Sequence, residues 1–264
     1  MHRVGSWFAA LALLAVARAG PAPAAELTAR QVVLTVAAGT PGRPADFSRR
    51  DLSGLDLSDI DFSGANLAGA NLFGCDLTGA RFAGANLAGA RLDRTIVIRA
   101  DFSNADLRGA SMFLPAASSV YGANPAADAP QFAGADLSGA HLVGRIGNAN
   151  WQGAKLAGAH LEIDHTQFLA PMGSDLSGGH LAGADFSGAV LRGVRFGFAD
   201  LRGANLSHAD LTAADLRDAK LDGADLTGAT LARADFRGAS LAAAKGLAHA
   251  GGLGDAPMTG LAAR

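Results

Sequence analysis

From Phe47 to Met112 a large apolar residue stands at every fifth position, through Leu52, Leu57, Phe62, Leu67, Leu72, Leu77, Phe82, Leu87, Leu92, Val97, Phe102 and Leu107. Asp or Asn commonly precedes it, a small residue stands two before it (Ala65, Ala70, Ala80, Ala85), and Gly often stands two after. The unit is A-(D/N)-(L/F)-x-G. A period of five suits neither ordinary element. On an α-helix five residues advance about 500°, which spreads the apolar positions around the whole cylinder. On a flat strand, residues i and i+5 face opposite sides of the sheet. The pattern works if the chain turns a corner inside every repeat, with Gly supplying the positive φ that tight turns require. Four corners close a coil of about twenty residues, so the fold class is all-β and the architecture a solenoid.

Runs such as Ala65-Asn66-Leu67-Ala68-Gly69 and Ala224-Asp225-Leu226-Thr227-Gly228 resemble pentapeptide-repeat proteins. The resemblance spans roughly 195 residues. It implies a right-handed quadrilateral β-helix, with Leu or Phe and the small residue two before it pointing inward. The repeat region, residues 45–242, then holds about ten coils and is roughly 47 Å long at the spacing of neighbouring strands.

Residues 1–25 read as a signal peptide. Arg3 gives a positive start, Val4 to Ala17 is almost wholly apolar, and Ala17-Arg18-Ala19 and Ala22-Pro23-Ala24 offer small-x-small cleavage sites. Export to the periplasm or beyond is the expectation, with cleavage between residues 19 and 25. Retention of the segment as an anchor is the alternative, against which its short apolar run argues. No stable membrane span is expected after cleavage. Residues 26–44 hold a short capping helix and linker. Thr28 with Gln31 forms a capping box, Gly39 and Pro41 stop the helix, and Val32, Val33 and Val36 can cover the open first coil.

Two stretches break the repeat. Within 113–130, Pro115, Pro125 and Pro130 oppose regular pairing. Met112 to Phe132 is one coil's length, so this stretch is either a degenerate coil or an extruded loop. The second break, 164–174, contains Pro171 and Gly173. Between them Leu142 to Ile146 is one residue short, and Trp151 occupies an inward slot where its size and its N–H are awkward. Residues 243–264 read as a flexible Gly/Ala-rich tail.

Formal net charge is −2 with acids and bases interleaved, which is no balance for binding nucleic acid. Cleavage before Ala25 removes Arg3 and Arg18, leaving 20 bases against 24 acids. Cys75, the single cysteine, falls in a small inward slot and reads as a buried structural thiol. The recurrent Asp residues (Asp56, Asp61, Asp106, Asp136, Asp185, Asp200) follow the period, so they are part of the repeat and not paired catalytic carboxylates. No phosphate loop, nucleophile motif or CxxC is present, and the reading is of a non-enzyme with no required cofactor.

Binding residues favour loops on a rigid scaffold. Phe113, Tyr121, Asn124, Phe168 and Met172, in the two breaks, are therefore the candidate contacts for a protein or envelope partner. Counting repeats also places His141, His160 and His180 in one outward column, followed by Asp200. That column is a candidate transition-metal or small-ligand site, although three imidazoles in a straight ladder cannot readily surround one tetrahedral ion. Self-association through the solenoid ends is a further expectation. The resemblance carries one rival reading: some pentapeptide-repeat proteins mimic duplex DNA and bind type II topoisomerases, protecting them from quinolones. The export signal and the interspersed Arg81, Arg91, Arg108, Arg192, Arg202 and Arg217 count against it.

Overall fold

The computed structural model describes residues 27–40, 42–117, 126–162 and 174–257. Each regular repeat contributes one wall segment and one corner. At the corner the small residue's N–H closes a tight turn onto the carbonyl three residues back, as Ala65 does on Phe62 at 2.9 Å, and Gly64 between them sits at φ +68°. A left-handed third residue is what a type II turn demands, hence the glycine. The Asp or Asn before the Leu has its own reason. Its side-chain oxygen accepts the N–H two residues on, as Asp46 from Ser48 and Asp76 from Thr78, both at 2.9 Å. This Asx geometry caps the turn wherever the slot holds Asp or Asn, so the acids of the repeat serve the backbone.

Four columns of parallel bridges run along the rod, each named here by its first residue. The Asp46 wall continues through Asn66, Asn86, Asp106, Asp136, Lys155, Asp185, Asn205, Asp225 and Lys245. The Asp51 wall runs through Asn71, Arg91, Ser111, His141, His160, Val190, Asp210, Thr230 and Gly251. The Asp56 wall carries Asp76, Ile96, Ala116, Arg145, Asp175, Arg195, Asp215 and Asp235. The Asp61 wall carries Arg81, Asp101, Gln131, Asn150, His180, Asp200, Lys220 and Ser240.

Inside, the Leu and Phe side chains are fully buried and the small residues fill the gaps beside them. The Phe62, Phe82 and Phe102 rings stack along one column at 4.9 and 5.0 Å, as their spacing predicts, and the stack continues to Phe132 at 5.1 Å. Buried polar groups find carbonyls: Thr95 Oγ1 donates to Leu92 O at 2.8 Å and Cys75 Sγ to Leu52 O at 3.0 Å. Burial pushes the Cys75 thiol up to about 11.

Both ends are covered. Helix α1, Ala29–Ala37, starts at the Thr28–Gln31 capping box. It buries Val32 in the core and packs Leu27 and Val36 against it. Val33, read from the sequence as part of that inward face, points outward and is 48% exposed, because one helical step rotates it about 100° from Val32. At the other end the ladder runs past residue 242. Lys245 and Gly251 bridge to Asp225 and Thr230, and Phe236 donates to Pro257 O at 2.9 Å. Residues 243–257 thus add wall and two short 3-10 turns, Leu247–His249 and Leu253–Asp255, where the composition suggested a loose tail.

Candidate functional site

The irregular region is built on the only two strands longer than a bridge among the described residues. Strand β1, Ser111–Ala116, pairs in parallel with β2, His141–Arg145, with a register shift between Phe113 and Ala116. Three departures from the repeat meet here. Pro115 takes a slot that is Ala in most repeats, and Leu114 takes the glycine slot at φ +51°. Across from them the chain is one residue short, and Gly144 is required: a Cβ there would lie 2.6 Å from Pro115 Cδ.

The ladder also fixes what each break contains. Asp101 pairs with Gln131 and Asp106 with Asp136, a step of thirty residues against the usual twenty. Ala116 stands on the Asp56 wall and Gln131 on the next, so fifteen residues cover one corner where five suffice. Ten residues are therefore inserted, and Met112 to Phe132 is half a coil rather than a whole one. The second break behaves alike. His160 and Asp175 stand on consecutive walls fifteen residues apart. Its base is tied by Ser174, whose Oγ lies 2.6 Å from Leu161 O and 3.1 Å from Leu142 O.

This overturns the three-histidine column. Leu161 to Leu181 takes two corners, not four, so His180 stands on the Asp61 wall between Asn150 and Asp200. Only His141 and His160 share a column, their rings stacked at 4.9 Å and 10°. Among the described residues no group of three His, Cys, Asp or Glu converges as a metal site.

What the corner gathers instead is aromatic and cationic. The Arg91 guanidinium lies 4.4 Å from the Phe73 ring centroid and that of Arg94 5.9 Å. Asp93 holds Arg91 Nε at 2.8 Å and accepts the Phe113 N–H at 3.1 Å. Phe113 then neighbours the His141 ring at 6.5 Å. A continuous ridge results, from Phe73 through Phe113 and His141 to His160. Phe113 and Leu114 are 38% and 41% exposed on it. In the x slot of the repeat, the large apolar side chains among the described residues are Phe73, Ile98, Phe113 and Val143, all at the corners bounding the Asp56 wall. Of the residues proposed from sequence, Phe113 is on this ridge, while Tyr121, Asn124, Phe168 and Met172 lie outside the described residues. Phe73 and Leu114 were missed: Phe73 lies within an otherwise regular repeat, and Leu114 owes its place to a left-handed backbone that the sequence does not show. The signal was available: large apolar residues in slots that elsewhere carry Ser, Ala or Gly.

Elsewhere on the surface many charges pair with each other. Arg108, Arg202 and Arg217 each clasp the Asp two residues before them at 2.6 Å. Arg81 reaches Asp61 one coil away, and its guanidinium holds that carboxyl down at about 2. No helix among the described residues is long and apolar enough to cross a membrane.

The family model described as pentapeptide repeats matches in eight copies, over residues 45–79, 75–112, 172–207 and 209–245. Among solved structures the chain is similar to HetL, a pentapeptide repeat protein involved in heterocyst differentiation regulation from the cyanobacterium Nostoc. The identity is 27%, over 88% of this chain and 94% of that one, with a TM-score of 0.42. QnrB1, a plasmid-mediated fluoroquinolone resistance protein, is 22% identical over 75% of this chain and 84% of its own, with a TM-score of 0.38. A pentapeptide repeat protein of the Arabidopsis thaliana thylakoid lumen is 27% identical over 50% and 80%, with a TM-score of 0.24. No curated protein matches. The weight rests on the repeat match and not on these superpositions.

Proposed function

Because the chain belongs to the pentapeptide-repeat family, whose members are generally non-enzymatic repeat proteins with a right-handed quadrilateral β-helix, we propose that it is an exported scaffold of about ten coils. Its task is to present the irregular corner to a protein or envelope partner. One observation carries this reading. A rod on which many guanidiniums pair with carboxylates exposes Phe113 and Leu114 together on a single ridge, beside the Arg91 and Arg94 guanidiniums over Phe73. Aromatic and Arg side chains are the ones that dominate binding energy at protein interfaces. Leu114 also holds a left-handed backbone that costs about 1–2 kcal/mol for a non-glycine residue. A stability-driven sequence would place glycine there.

Export rests on the N-terminal segment, with its Arg3 start, apolar run and small-residue cleavage sites. The test combines fractionation with capture. Wild-type protein is expected in the envelope fraction beginning between Gly20 and Glu26, and it retains a partner that Phe113→Ser/Leu114→Gly protein loses. A cytosolic, unprocessed chain would overturn export. Equal capture by both proteins would overturn the site.

The DNA-mimic reading finds little support in the charges. A mimic needs a continuous acidic face, and the Asp56 wall is interrupted by Arg145 and Arg195, the Asp46 wall by Lys155 and Lys245.

A further inference from the structure

We infer that His141 and His160 together form a chelating site for one divalent transition ion, copper(II) above all. The two residues are direct partners in the Asp51 wall, on rungs about 4.8 Å apart. Their rings lie 4.9 Å apart and 10° from parallel. Among the described residues neither imidazole makes a hydrogen bond or an ion pair, and ring contacts are all that engage them. The pair is singular among the described histidines. His180 stands between Asn150 and Asp200, whose carboxylate is clasped by Arg202. His208 fills a glycine slot and lies against Gly228, and His249 ends a 3-10 turn. None of these three has a second imidazole stacked beside it.

The stack itself does not hold an ion, because imidazole lone pairs lie in the ring planes and nearly parallel rings send theirs side by side. The adjustment is small. Histidine nitrogens sit about 2.0–2.1 Å from such an ion, so two ligands to one ion lie about 3 Å from each other. Turning each ring about its Cβ–Cγ bond, a torsion with broad preferences, brings the nitrogens together from rungs about 4.8 Å apart. His141 is exposed and His160 half-buried on an outer wall, so neither ring is locked in a core.

The surroundings suit a cation held by neutral nitrogens. The Phe113 ring lies 6.5 Å from that of His141, and Val190 takes the rung beyond His160, so apolar groups border the pair and limit solvent there. The charges on this wall are paired off. Arg91, two rungs below His141, is held by Asp93 at 2.8 Å. Arg192 is held by Asp210 at 2.6 Å and lies 3.9 Å from Glu162. Glu162 is thereby engaged, and water fills the ion's remaining positions. Arg145 stands on the next wall. Imidazole favours copper, zinc and nickel over magnesium or calcium, and copper(II) heads the divalent order. One imidazole holds an ion weakly, whereas a second at fixed distance captures it in an intramolecular step. The bound ion would also tie β2, which begins at His141, to the following coil across the shortened repeat. The site stands apart from whichever partner the ridge meets.

The experiment is calorimetric titration of the tag-free mature chain with copper(II) chloride in a buffer that does not bind metal, for wild type, His141→Ala, His160→Ala and His180→Ala. Electron paramagnetic resonance of each protein with copper(II) at one equivalent counts the imidazole nitrogens bound. The expected results are a tightest site of one copper(II) per chain in wild type, with two imidazoles in its spectrum. His141→Ala and His160→Ala each weaken that site by about tenfold or more and leave one imidazole, while His180→Ala changes neither readout. No binding by wild type, equal binding by His160→Ala, loss on His180→Ala, or a single-imidazole spectrum in wild type overturns the site.

Discussion

The Phe132 ring lies 4.1 Å from the indole of Trp151, with the two planes 6° apart. The indole therefore continues the aromatic stack that begins at Phe62, and its size is absorbed without breaking the column. Its N–H is not absorbed: Nε1 is buried with no hydrogen-bond partner. An unsatisfied buried donor costs about 1–3 kcal/mol. Replacing Trp151 by Phe removes that cost and keeps a stacked ring, at the expense of some buried area. The expected outcome is a denaturation midpoint equal to wild type or higher by about 1 kcal/mol. A loss above about 3 kcal/mol, as for a large cavity, would contradict the stacking account.

Not every corner glycine is equal. Gly84 and Gly134 both hold left-handed backbones, at φ +64° and +67°. A Cβ at Gly84 meets nothing within 4 Å, whereas one at Gly134 runs into the Asn104 side chain of the coil below. Gly84→Ala should cost about 1–2 kcal/mol for the conformation alone. Gly134→Ala should cost more, and an Asn104→Ala background should remove the excess. Thermal or urea melts of the three proteins check the ordering.

The same conformational argument runs in reverse at Phe198. Its ring is mostly exposed, so Phe198→Gly loses little burial and relieves a left-handed side-chain residue. Melting of dilute protein should rise by about 1 kcal/mol. A fall would show that the ring packs on its own wall.

Cys75 makes stability depend on alkaline pH. The thiol in the native chain keeps its proton up to about 11, because burial disfavours the thiolate, while the unfolded chain loses it from about 9. The group's contribution is thus fully present below pH 9 and is lost as pH rises through the 9–11 window, amounting to about 2–3 kcal/mol. Urea midpoints at pH 8 and pH 11 should converge less for wild type than for Cys75→Ala, which fits a slot that is Ala in most repeats. Equal pH dependence in both proteins would place the thiol in water.

Much of this was readable from the chain. The five-residue period gave the walls, the corners and the aromatic column, since inward residues twenty apart must stack. The Thr28–Gln31 spacing, outside the repeat, gave the capping box. What the period could not place was anything after an insertion. The number of corners spanned by 113–130 and 164–174 decides the wall of every later residue, and no local signal counts corners. His180 was assigned to the wrong wall for that reason. The role of the Asx residues was likewise hidden, because periodic acids look like surface decoration until their oxygens are seen on the backbone N–H groups of Ser48 or Thr78. Phe113 was found as a break in the pattern, while Phe73 was hidden inside a regular repeat and Leu114 by a left-handed backbone that the sequence does not show.

The account turns on the ridge around Phe113 being the recognition surface of an exported rod. A photo-crosslinking amino acid at position 113, with a second at Ser48 on a regular corner as control, tests this in intact cells. The prediction is a discrete adduct with an envelope protein at position 113 and none at position 48. No adduct at 113, or the same adducts at both positions, would contradict it.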